Sequence, residues 1–443
     1  MTDSGTRLEF FQEKNASYDF EGGELTSDSG MLLIRELDEK AGFTSSLASC
    51  IDDWRDPNLI THPMVDLLRE RLYFLIAGYE DCNDAKTLAH DPGFKVSLGR
   101  TLDETTKEGL DLASQPTLSR LENGVTRKDI KRMAEHAIDH WLDRFEVCPD
   151  ELVLDADSTD DPTHGGQQLA LFHGYYGQCM YHPLIISCNG YVILAILRPG
   201  KCHASRKVIS ILKFLLKRIR QRFPKAHIQF RADAGFGIPR LYEYLESESI
   251  DYAIGLISNA VLLESNRDQI DRAKESYEHT GEKQRMFGSF LYQAGSWSKE
   301  RRVIAKAEYL DLGPNNRFVV TNMRAPAQSI YDDFYVQRGS SENWIKEIKN
   351  GFKGDRLSCH RFIANQFRLM VTVAAHQLFQ HLKPLLKGTT LEAASIETVR
   401  TKLIKVAGRI RQTVRRIWIH LCSSYPYRSL FETLHRKILL LET

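Results

Sequence analysis

Short runs rich in β-branched residues alternate with amphipathic segments from residue 151 onward, and this order limits the possible folds more than any other feature of the sequence. The first three runs, ELVLDADS (151–158), MYHPLIIS (180–187) and GYVILAIL (190–197), read as strands. The dipeptide Asn189-Gly190 is typical of a tight hairpin between the last two. A basic amphipathic helix is predicted next, at 205–223. Its cations indicate either a solvated face or a DNA contact.

The same alternation continues with a strand at 227–234, a helix at 239–249 and a strand at 251–257. Three strands, a helix, a strand, a helix and a strand make the order of a ribonuclease-H-like α/β sheet. We therefore predict an α/β fold with a ribonuclease-H-like catalytic domain whose first part is residues 151–257.

Residues 258–325 interrupt this order, because RMFGSFLYQAGSW, RRVIAKAEYL and RFVVTNM all have strand character. They predict a β-rich insertion. A helix within residues 326–356 then completes the core.

Residues 1–150 are predicted to form a helical N-terminal region, with apolar residues at helical spacing in 59–80 and 127–145. A short capped helix is expected at 114–124, with Pro116 in its first turn. The region is a candidate for binding DNA ends, read from residues 114–132, or for packing and dimerisation. The sequence does not choose between them.

Residues 357–443 are predicted to form a basic, helical C-terminal region. Within it, residues 400–416 carry seven Lys or Arg and no acidic residue, although the whole chain of 443 residues has a net charge of only +1. This local excess favours contact with DNA. No 18-residue apolar run and no basic-then-apolar leader is present, so we expect a cytoplasmic, nucleoid-associated protein with no membrane partner.

Carboxylates stand where two predicted strands end. Asp155 and Asp157 lie on one face of the first strand, since strand side chains alternate. Asp233 ends a later strand, immediately before a glycine-rich turn. If the sheet is ribonuclease-H-like, these strands are neighbours, so Asp157 and Asp233 converge and the helix after the insertion can bring Glu342 to them.

That helix lies in YVQRGSSENWIKEIK (335–349), where Tyr335, Arg338, Glu342 and Lys349 are spaced by three, four and seven residues. An α-helix places them within an arc of roughly 60°. Gly339 interrupts the pattern, however, and a helix that starts at Ser340 or Ser341 would leave Tyr335 and Arg338 on a loop.

Closely packed carboxylates repel unless a cation neutralises them, and hard oxygen ligands suit Mg²⁺, for which Mn²⁺ substitutes. Two such ions would support in-line displacement at a phosphodiester. Arg338 and Lys349 can then hold phosphate oxygens, and Tyr335 can donate to a phosphate or stack on a base.

These residues resemble the Y-R-E-K signature of bacterial insertion-sequence DDE transposases. Asp157-Ser158-Thr159 is similar to the first D-x-T motif of that group, and RADAGFG, with Asp233, is similar to the second aspartate motif. LRPG (197–200), RFVVTN (317–322) and GYEDCNDAKTLAHDP (78–92) also resemble blocks of the group. The resemblance covers about residues 20–385.

The resemblance implies a transposase that binds the inverted-repeat ends of a mobile element, cleaves them with divalent metal and joins them to target DNA by cut-and-paste chemistry. Asp157, Asp233 and Glu342 carry over as metal ligands, and Tyr335, Arg338 and Lys349 as DNA contacts. Pairing two element ends implies a homodimer on double-stranded DNA. The terminal-repeat sequence, the target preference and the second-strand mechanism stay open.

Several alternatives remain at this level. Asp155 competes with Asp157 as the first ligand, and otherwise Asp155 and Thr159 support the ligands. His164, His173 and His182 recur every nine residues, which is not a usual spacing for zinc ligands. The rival functions are a domesticated DNA-binding protein with the same fold and a metal-dependent nuclease without strand transfer.

Overall fold

The computed structural model describes residues 6–8, 16–103 and 111–441. The chain forms two compact units, one of Met1–Leu121 with Leu378–Thr443 and one of Glu122–Gln377. Both units mix helices and strands, so the fold is α/β. Within the described ranges, no helix has the length and apolar character needed to cross a membrane.

The N-terminal part of the first unit is mainly helical. Its strands and helices are β1 (Thr6–Leu8), β2 (Ala16–Tyr18), β3 (Leu25–Thr26), α1 (Met31–Ala41), α2 (Phe43–Ala48), α3 (Met64–Ala77), α4 (Asp84–Leu88), α5 (Pro92–Ser97) and α6 (Gln115–Gly124), with a 3₁₀ turn at Pro57–Leu59. Buried Asp38 of α1 accepts hydrogen bonds from the Thr44 backbone and the Tyr73 hydroxyl, which ties α1 to α2 and α3. Helices α3 and α6 lie in segments predicted to be helical. The prediction of a purely helical region omitted β1 to β3.

The second unit contains the strands and helices between residues 127 and 256. They are α7 (Arg127–Leu142), β4 (Glu151–Ser158), β5 (Asp161–Pro162), β6 (Leu171–His173), β7 (Gln178–Tyr181), β8 (Leu184–Cys188), β9 (Tyr191–Ile196), α8 (Val208–Arg222), β10 (His227–Ala232), a 3₁₀ turn (Ala234–Phe236), α9 (Pro239–Ser247) and β11 (Asp251–Leu256). The two short strands β5 and β6 were not predicted. Five of the strands lie in the order β11-β10-β4-β8-β9. Strands β4, β10 and β11 are parallel to one another, whereas β8 is antiparallel to both of its neighbours, β4 and β9.

Two details of this sheet follow from local sequence. Asn189 and Gly190 both have positive φ (47° and 85°), as the two-residue hairpin between β8 and β9 requires. The single strand predicted at 180–187 is instead divided into β7 and β8 at His182-Pro183. Proline lacks the N–H that a continuous ladder would need.

The insertion does not form a separate β-rich module. It consists of α10 (Ala260–Ser265), α11 (Arg267–Thr280), β12 (Gln284–Tyr292), β13 (Arg301–Leu310), β14 (Gly313–Pro314) and β15 (Arg317–Thr321). Strand β15 pairs antiparallel with β11, so the inserted strands extend the central sheet. The prediction missed α11 because only Ala273 of this helix is buried, which leaves little apolar periodicity to detect.

One helical segment then crosses a face of the sheet. It runs through α12 (Ala327–Ser329), a π-type turn (Ile330–Tyr335), a 3₁₀ turn (Val336–Arg338), α13 (Gly339–Lys346) and a second π-type turn (Glu347–Gly351). Ile330 and Tyr331 pack against residues of β11, β13 and β15, while Ile345 and Ile348 pack against β8 and β9. The middle of the segment therefore passes over β10 and β4.

Gly339 has helical backbone angles (φ −55°, ψ −20°), so the segment is continuous from residue 327 to 351. Tyr335 and Arg338 consequently lie on the helix. The alternative start at Ser340 or Ser341 is wrong.

The C-terminal part contains α14 (Phe362–Gln380), a 3₁₀ turn (Lys383–Leu386), α15 (Ile396–Val399), a π-type turn (Arg400–Ile404), β16 (Gly408–Thr413), β17 (Arg416–Leu421) and α16 (Arg428–Leu439). The prediction of a helical region at 357–443 is wrong for β16 and β17, which form a hairpin whose first strand pairs with β3. The physical reason is the period-2 alternation of Arg409, Ile410 and Arg411, which suits a strand. Val414, at the hairpin turn, is fully exposed.

Candidate active site

Asp157 and Asp233 stand at the carboxyl ends of two adjacent parallel strands. The ladder between β4 and β10 pairs Ala156 with Ala232, and each aspartate is the next residue. Asp157 is only 6% exposed. Asp233 caps the following 3₁₀ turn, where the Gly235 backbone N–H donates to its Oδ1 at 2.8 Å. The structure thus brings these two predicted residues together.

The helical segment of residues 327–351, which we call the crossing helix, is hydrogen-bonded to Asp157 through two of its side chains. Arg338 Nη1 donates to Asp157 Oδ1 at 2.7 Å. Ser341 Oγ donates to Asp157 Oδ2. Both oxygens of the buried carboxylate are therefore occupied by residues one helical turn apart.

Burial dominates the proton affinity of this carboxylate. It raises the pKa of Asp157 to about 6, even though Arg338 and Ser341 favour the charged form, and the negative charge of Asp233 adds to the increase. Burial opposes the charge of Arg338, but the neighbouring anions outweigh it and the pKa of Arg338 is raised. The carboxylates of Asp157, Asp233 and Glu342 act together on Arg338, which is why its pKa rises despite burial.

Glu342 lies apart from the two aspartates. Its side chain is 54% exposed and accepts a hydrogen bond from Arg338 Nη2 at 3.3 Å. Arg338 thereby bridges Asp157 and Glu342. Across residues 16–103 and 111–441, no three Asp, Glu, His or Cys side chains stand close enough to hold one metal ion.

The donor chemistry still fits a hard divalent cation at the strand ends. Asp157 and Asp233 offer carboxylate oxygens beside each other, and burial, with a smaller contribution from the charge of Asp233, raises the pKa of Asp157. These two residues could hold such an ion. Arg338 supplies a positive charge next to Asp157.

Asp155 is held by a different arginine. Arg231, its register partner on β10, donates from Nε and Nη2 to the two Asp155 oxygens, both at 2.7 Å. Arg231 also donates from Nη1 to the Phe334 backbone oxygen at 2.9 Å. Burial raises the pKa of Asp155 despite this fork. Asp155 therefore joins β4, β10 and the crossing helix.

Lys349 contacts the loop that follows β4. Its Nζ lies 3.0 Å from Asp160 Oδ1, 2.9 Å from the Asp160 backbone oxygen and 3.4 Å from Thr159 Oγ1. Burial alone would raise the pKa of Asp160, but the hydrogen bond from Lys349 outweighs it and the pKa is lowered. Thr159 is thus placed beside Lys349.

Tyr335 is half-buried among apolar side chains. Its ring lies 5.6 Å from that of Tyr331, and burial raises the pKa of its hydroxyl. The hydroxyl rests against Gly255 of β11, where a Cβ would lie 2.7 Å from the hydroxyl oxygen. Glycine at 255 therefore makes room for Tyr335.

Sequence reasoning missed three residues that shape the site. Ser341 was considered only as a helix cap, yet it binds Asp157. Arg198, buried in the LRPG block, donates to Ser158 Oγ at 2.7 Å and to the His182 backbone oxygen at 2.8 Å. Asp161, 2% exposed, has no hydrogen-bond partner for either carboxylate oxygen in the described part of the chain. Burial, followed by the charge of Asp355, raises the pKa of Asp161 to about 8.

The three histidines do not form a ligand set within the described ranges. The rings of His173 and His182 lie 5.1 Å apart, and His182 Nδ1 lies 2.9 Å from the Cys202 backbone oxygen. Burial lowers the pKa of His182 to about 4, so its ring is neutral.

Comparison with known proteins identifies relatives of the chain. A family model described as "Transposase DDE domain group 1" matches residues 8–443. Among solved structures, the chain is similar to the piggyBac transposase in a cryo-EM structure of its synaptic complex with hairpin DNA. That similarity has 11% identity and a TM-score of 0.41, and covers 94% of this chain and 86% of the other. Among curated proteins, no sequence matches.

Proposed function

The chain belongs to the family of transposases with a DDE domain, and on this premise we propose that it excises and inserts DNA. It binds the inverted-repeat ends of a mobile element, hydrolyses a phosphodiester at each end and joins the 3′-hydroxyl to target DNA in a cut-and-paste reaction. We place it with the bacterial insertion-sequence transposases of the Y-R-E-K signature, built on a ribonuclease-H-like sheet.

The observation that carries this proposal is the pairing of Asp157 with Asp233 at the ends of β4 and β10, beneath the helix that bears Arg338 and Glu342. A surplus of carboxylates at the edge of a parallel sheet is suited to Mg²⁺, or Mn²⁺ in its place, and to the phosphates that such an ion binds. When bound, two ions would activate the attacking oxygen and stabilise the leaving one.

Asp157, Asp233 and Glu342 are the proposed ligands. In this structure Arg338 contacts Asp157 and Glu342 together. We propose that Arg338 turns from these carboxylates to a phosphate of the DNA end, since a guanidinium fork matches phosphate as well as carboxylate. That exchange frees Oδ1 of Asp157 for a metal ion, while Oδ2 still accepts from Ser341 Oγ, and it lets exposed Glu342 move towards Asp157.

Lys349 and Tyr335 have supporting roles in this proposal. Lys349 lies beside Thr159 and Asp160, next to the strand end that carries Asp157. A cation there holds a second phosphate oxygen. Tyr335 is packed against Gly255 and presents its hydroxyl towards the turn that begins at Asp233. Pairing of two element ends requires two protomers, so we expect a homodimer on DNA.

The test incubates purified protein with Mg²⁺ or Mn²⁺ and a duplex that carries the inverted repeat flanking its coding sequence. Wild type should nick and join this DNA, while Asp157→Asn and Glu342→Gln should lose at least about 100-fold in rate and still bind it. Glu275→Gln, an exposed acid on α11, is the matched control and should be unaffected. Cleavage without joining would indicate a nuclease, and binding without cleavage a DNA-binding protein. Either result overturns the proposal.

A second measurement separates metal binding from catalysis. With the inverted-repeat duplex bound, Mg²⁺ should raise the thermal midpoint of the wild type, because a ligand that binds only the folded state stabilises it. The double variant Asp157→Asn/Asp233→Asn should lose this increase, and Glu275→Gln should keep it. An equal increase in all three proteins would exclude the two aspartates as ligands.

A further inference from the structure

The hairpin β16–β17 presents two different faces. The register pairs Arg409 with His420, Arg411 with Trp418 and Thr413 with Arg416, and cross-strand partners share a face. All six of these side chains are exposed. We call this set the outward face. The opposite face is turned to the protein, since Ile410 is 3% exposed and the Leu102 backbone N–H donates to Gln412 Oε1 at 2.6 Å.

The outward face is strongly cationic. Residues 408–421 contain four arginines and a histidine and no acidic residue. Arg409, Arg411 and Arg416 all lie on the outward face, and Arg415 is exposed in the turn. Such a local excess in a chain of net charge +1 fits a polyanion.

An exposed aromatic side chain indicates that the charges of this face do more than prevent strand pairing with other chains. Charged residues on an exposed hairpin sometimes bind nothing and simply prevent strand pairing between chains. Trp418, however, is 49% exposed in the middle of the face. Its ring is stacked on that of His420 at 6.0 Å, and the Arg416 guanidinium lies 5.9 Å from its centroid. An exposed tryptophan held among cations indicates a binding surface rather than a solubilising one.

The shape of the hairpin selects the form of the polyanion. Two paired strands lie about 4.8 Å apart, and the major groove of B-form DNA, about 12 Å wide, admits a two-stranded ribbon. From Arg409 to Thr413 the first strand extends about 13 Å, so arginines on one face can reach successive base pairs and their phosphates.

We propose that the outward face of the β16–β17 hairpin binds duplex DNA as a ribbon in the major groove. Arg409 and Arg411 contact base edges or phosphates, Arg416 contacts the backbone near the turn, and Trp418 packs against the groove. The inference rests on the proposed function for its choice of DNA as the polyanion, but it assigns the contact to a surface that contains none of the proposed catalytic residues.

The test measures binding of the full chain to a labelled 30-base-pair duplex by fluorescence anisotropy over a range of salt concentrations. Arg409→Gln/Arg411→Gln should weaken binding at least about tenfold at ~100 mM salt and reduce the slope of log affinity against log salt by about 2. Arg272→Gln/Arg324→Gln removes the same charge from two exposed arginines of the other unit and is the matched control. It should leave both quantities unchanged.

Equal losses in both double variants would show that binding follows net charge and would overturn the proposal. Trp418→Ala should weaken duplex binding as well. If it and Arg409→Gln/Arg411→Gln weaken only a 30-nucleotide single strand, the duplex assignment is wrong and base stacking is the mode. Unchanged thermal midpoints are expected, since these side chains are exposed, and they ensure that lost binding does not reflect unfolding.

The cleavage assay distinguishes this inference from the proposed function. If wild type binds DNA through the hairpin but never cleaves it, the proposed function fails and the inference stands. If wild type cleaves and joins DNA while Arg409→Gln/Arg411→Gln binds as tightly as wild type, the inference fails and the proposed function stands.

Discussion

Arg338 Nη1 lies 2.7 Å from Asp157 Oδ1, which joins the helix after the insertion to the first strand of the sheet, 181 residues earlier in the chain. The pair is largely shielded from water, with Asp157 8% and Arg338 18% exposed at the side chain. A carboxylate in this position needs its cation, because burial and the charge of Asp233 both disfavour ionisation.

Removal of Arg338 should therefore destabilise the protein. Arg338→Gln leaves a buried carboxylate without its partner, and we expect a loss of about 3 kcal/mol in the free energy of unfolding, measured with urea in the presence of EDTA. Asp157→Asn/Arg338→Gln should recover part of that loss, because the uncompensated charge is gone. Additive effects of the two substitutions would show that the ion pair contributes no coupling.

Lys349 and Lys346 provide a matched pair on one helical segment. Lys349 contacts Asp160 and Thr159 beside the strand end, whereas Lys346 is exposed. We expect Lys349→Gln to lower the rate of DNA-end cleavage about tenfold and Lys349→Arg to retain part of that rate, since the proposed role of this charge is to hold a phosphate. Lys346→Gln should stay within about twofold of wild type. Equal losses would assign the effect to the charge of the helix rather than to position 349.

Glu70 should make stability depend on pH in the first unit. It is 1% exposed, accepts a hydrogen bond from the Ala113 backbone at 2.9 Å through one oxygen, and has no partner for the other in the described ranges. Burial raises its pKa from 4.5 to about 8. As the pH rises, the unfolded chain loses this proton near pH 4.5, whereas the folded protein keeps it until about pH 8. The free energy of unfolding therefore falls between these two pH values and is level above the higher one.

Glu70→Gln should remove this dependence. At pH 9 the variant should be more stable than wild type by roughly 3–5 kcal/mol, and at pH 4 the two should agree within about 1 kcal/mol. Urea unfolding at both pH values measures the difference. A wild type that is as stable as the variant at pH 9 would mean that Glu70 is ionised in the folded protein without penalty.

Gly30 should tolerate no side chain. A Cβ there would lie 1.8 Å from the Leu403 backbone oxygen and 2.5 Å from the Ile404 Cα, so the backbone itself would have to move. We expect Gly30→Ala to destabilise the protein by at least about 3 kcal/mol. Gly166→Ala, where a Cβ meets nothing within 4 Å, should stay within about 0.5 kcal/mol of wild type in the same urea titration.

Local periodicity determined much of this protein. The alternation of strand and helix from residue 151 to 257 could be predicted because each segment carries its own period of 2 or 3.6 residues, and Asn189-Gly190 fixes its turn through positive φ. The positions of Asp157 and Asp233 at strand ends followed from the same patterns. The continuity of the helix through Gly339 did not, since glycine permits both a helix and a break.

Tertiary structure decided which groups meet. Asp155 and Asp157 share one face of β4, yet one binds Arg231 and the other Arg338. That choice depends on the register with β10 and on the path of a helix packed at both ends by Ile330 and Ile348. The strands of the insertion likewise join the central sheet because β15 pairs with the edge of β11 that β10 does not occupy. Contacts between residues far apart in the chain leave no local period, so only the folded chain reveals them.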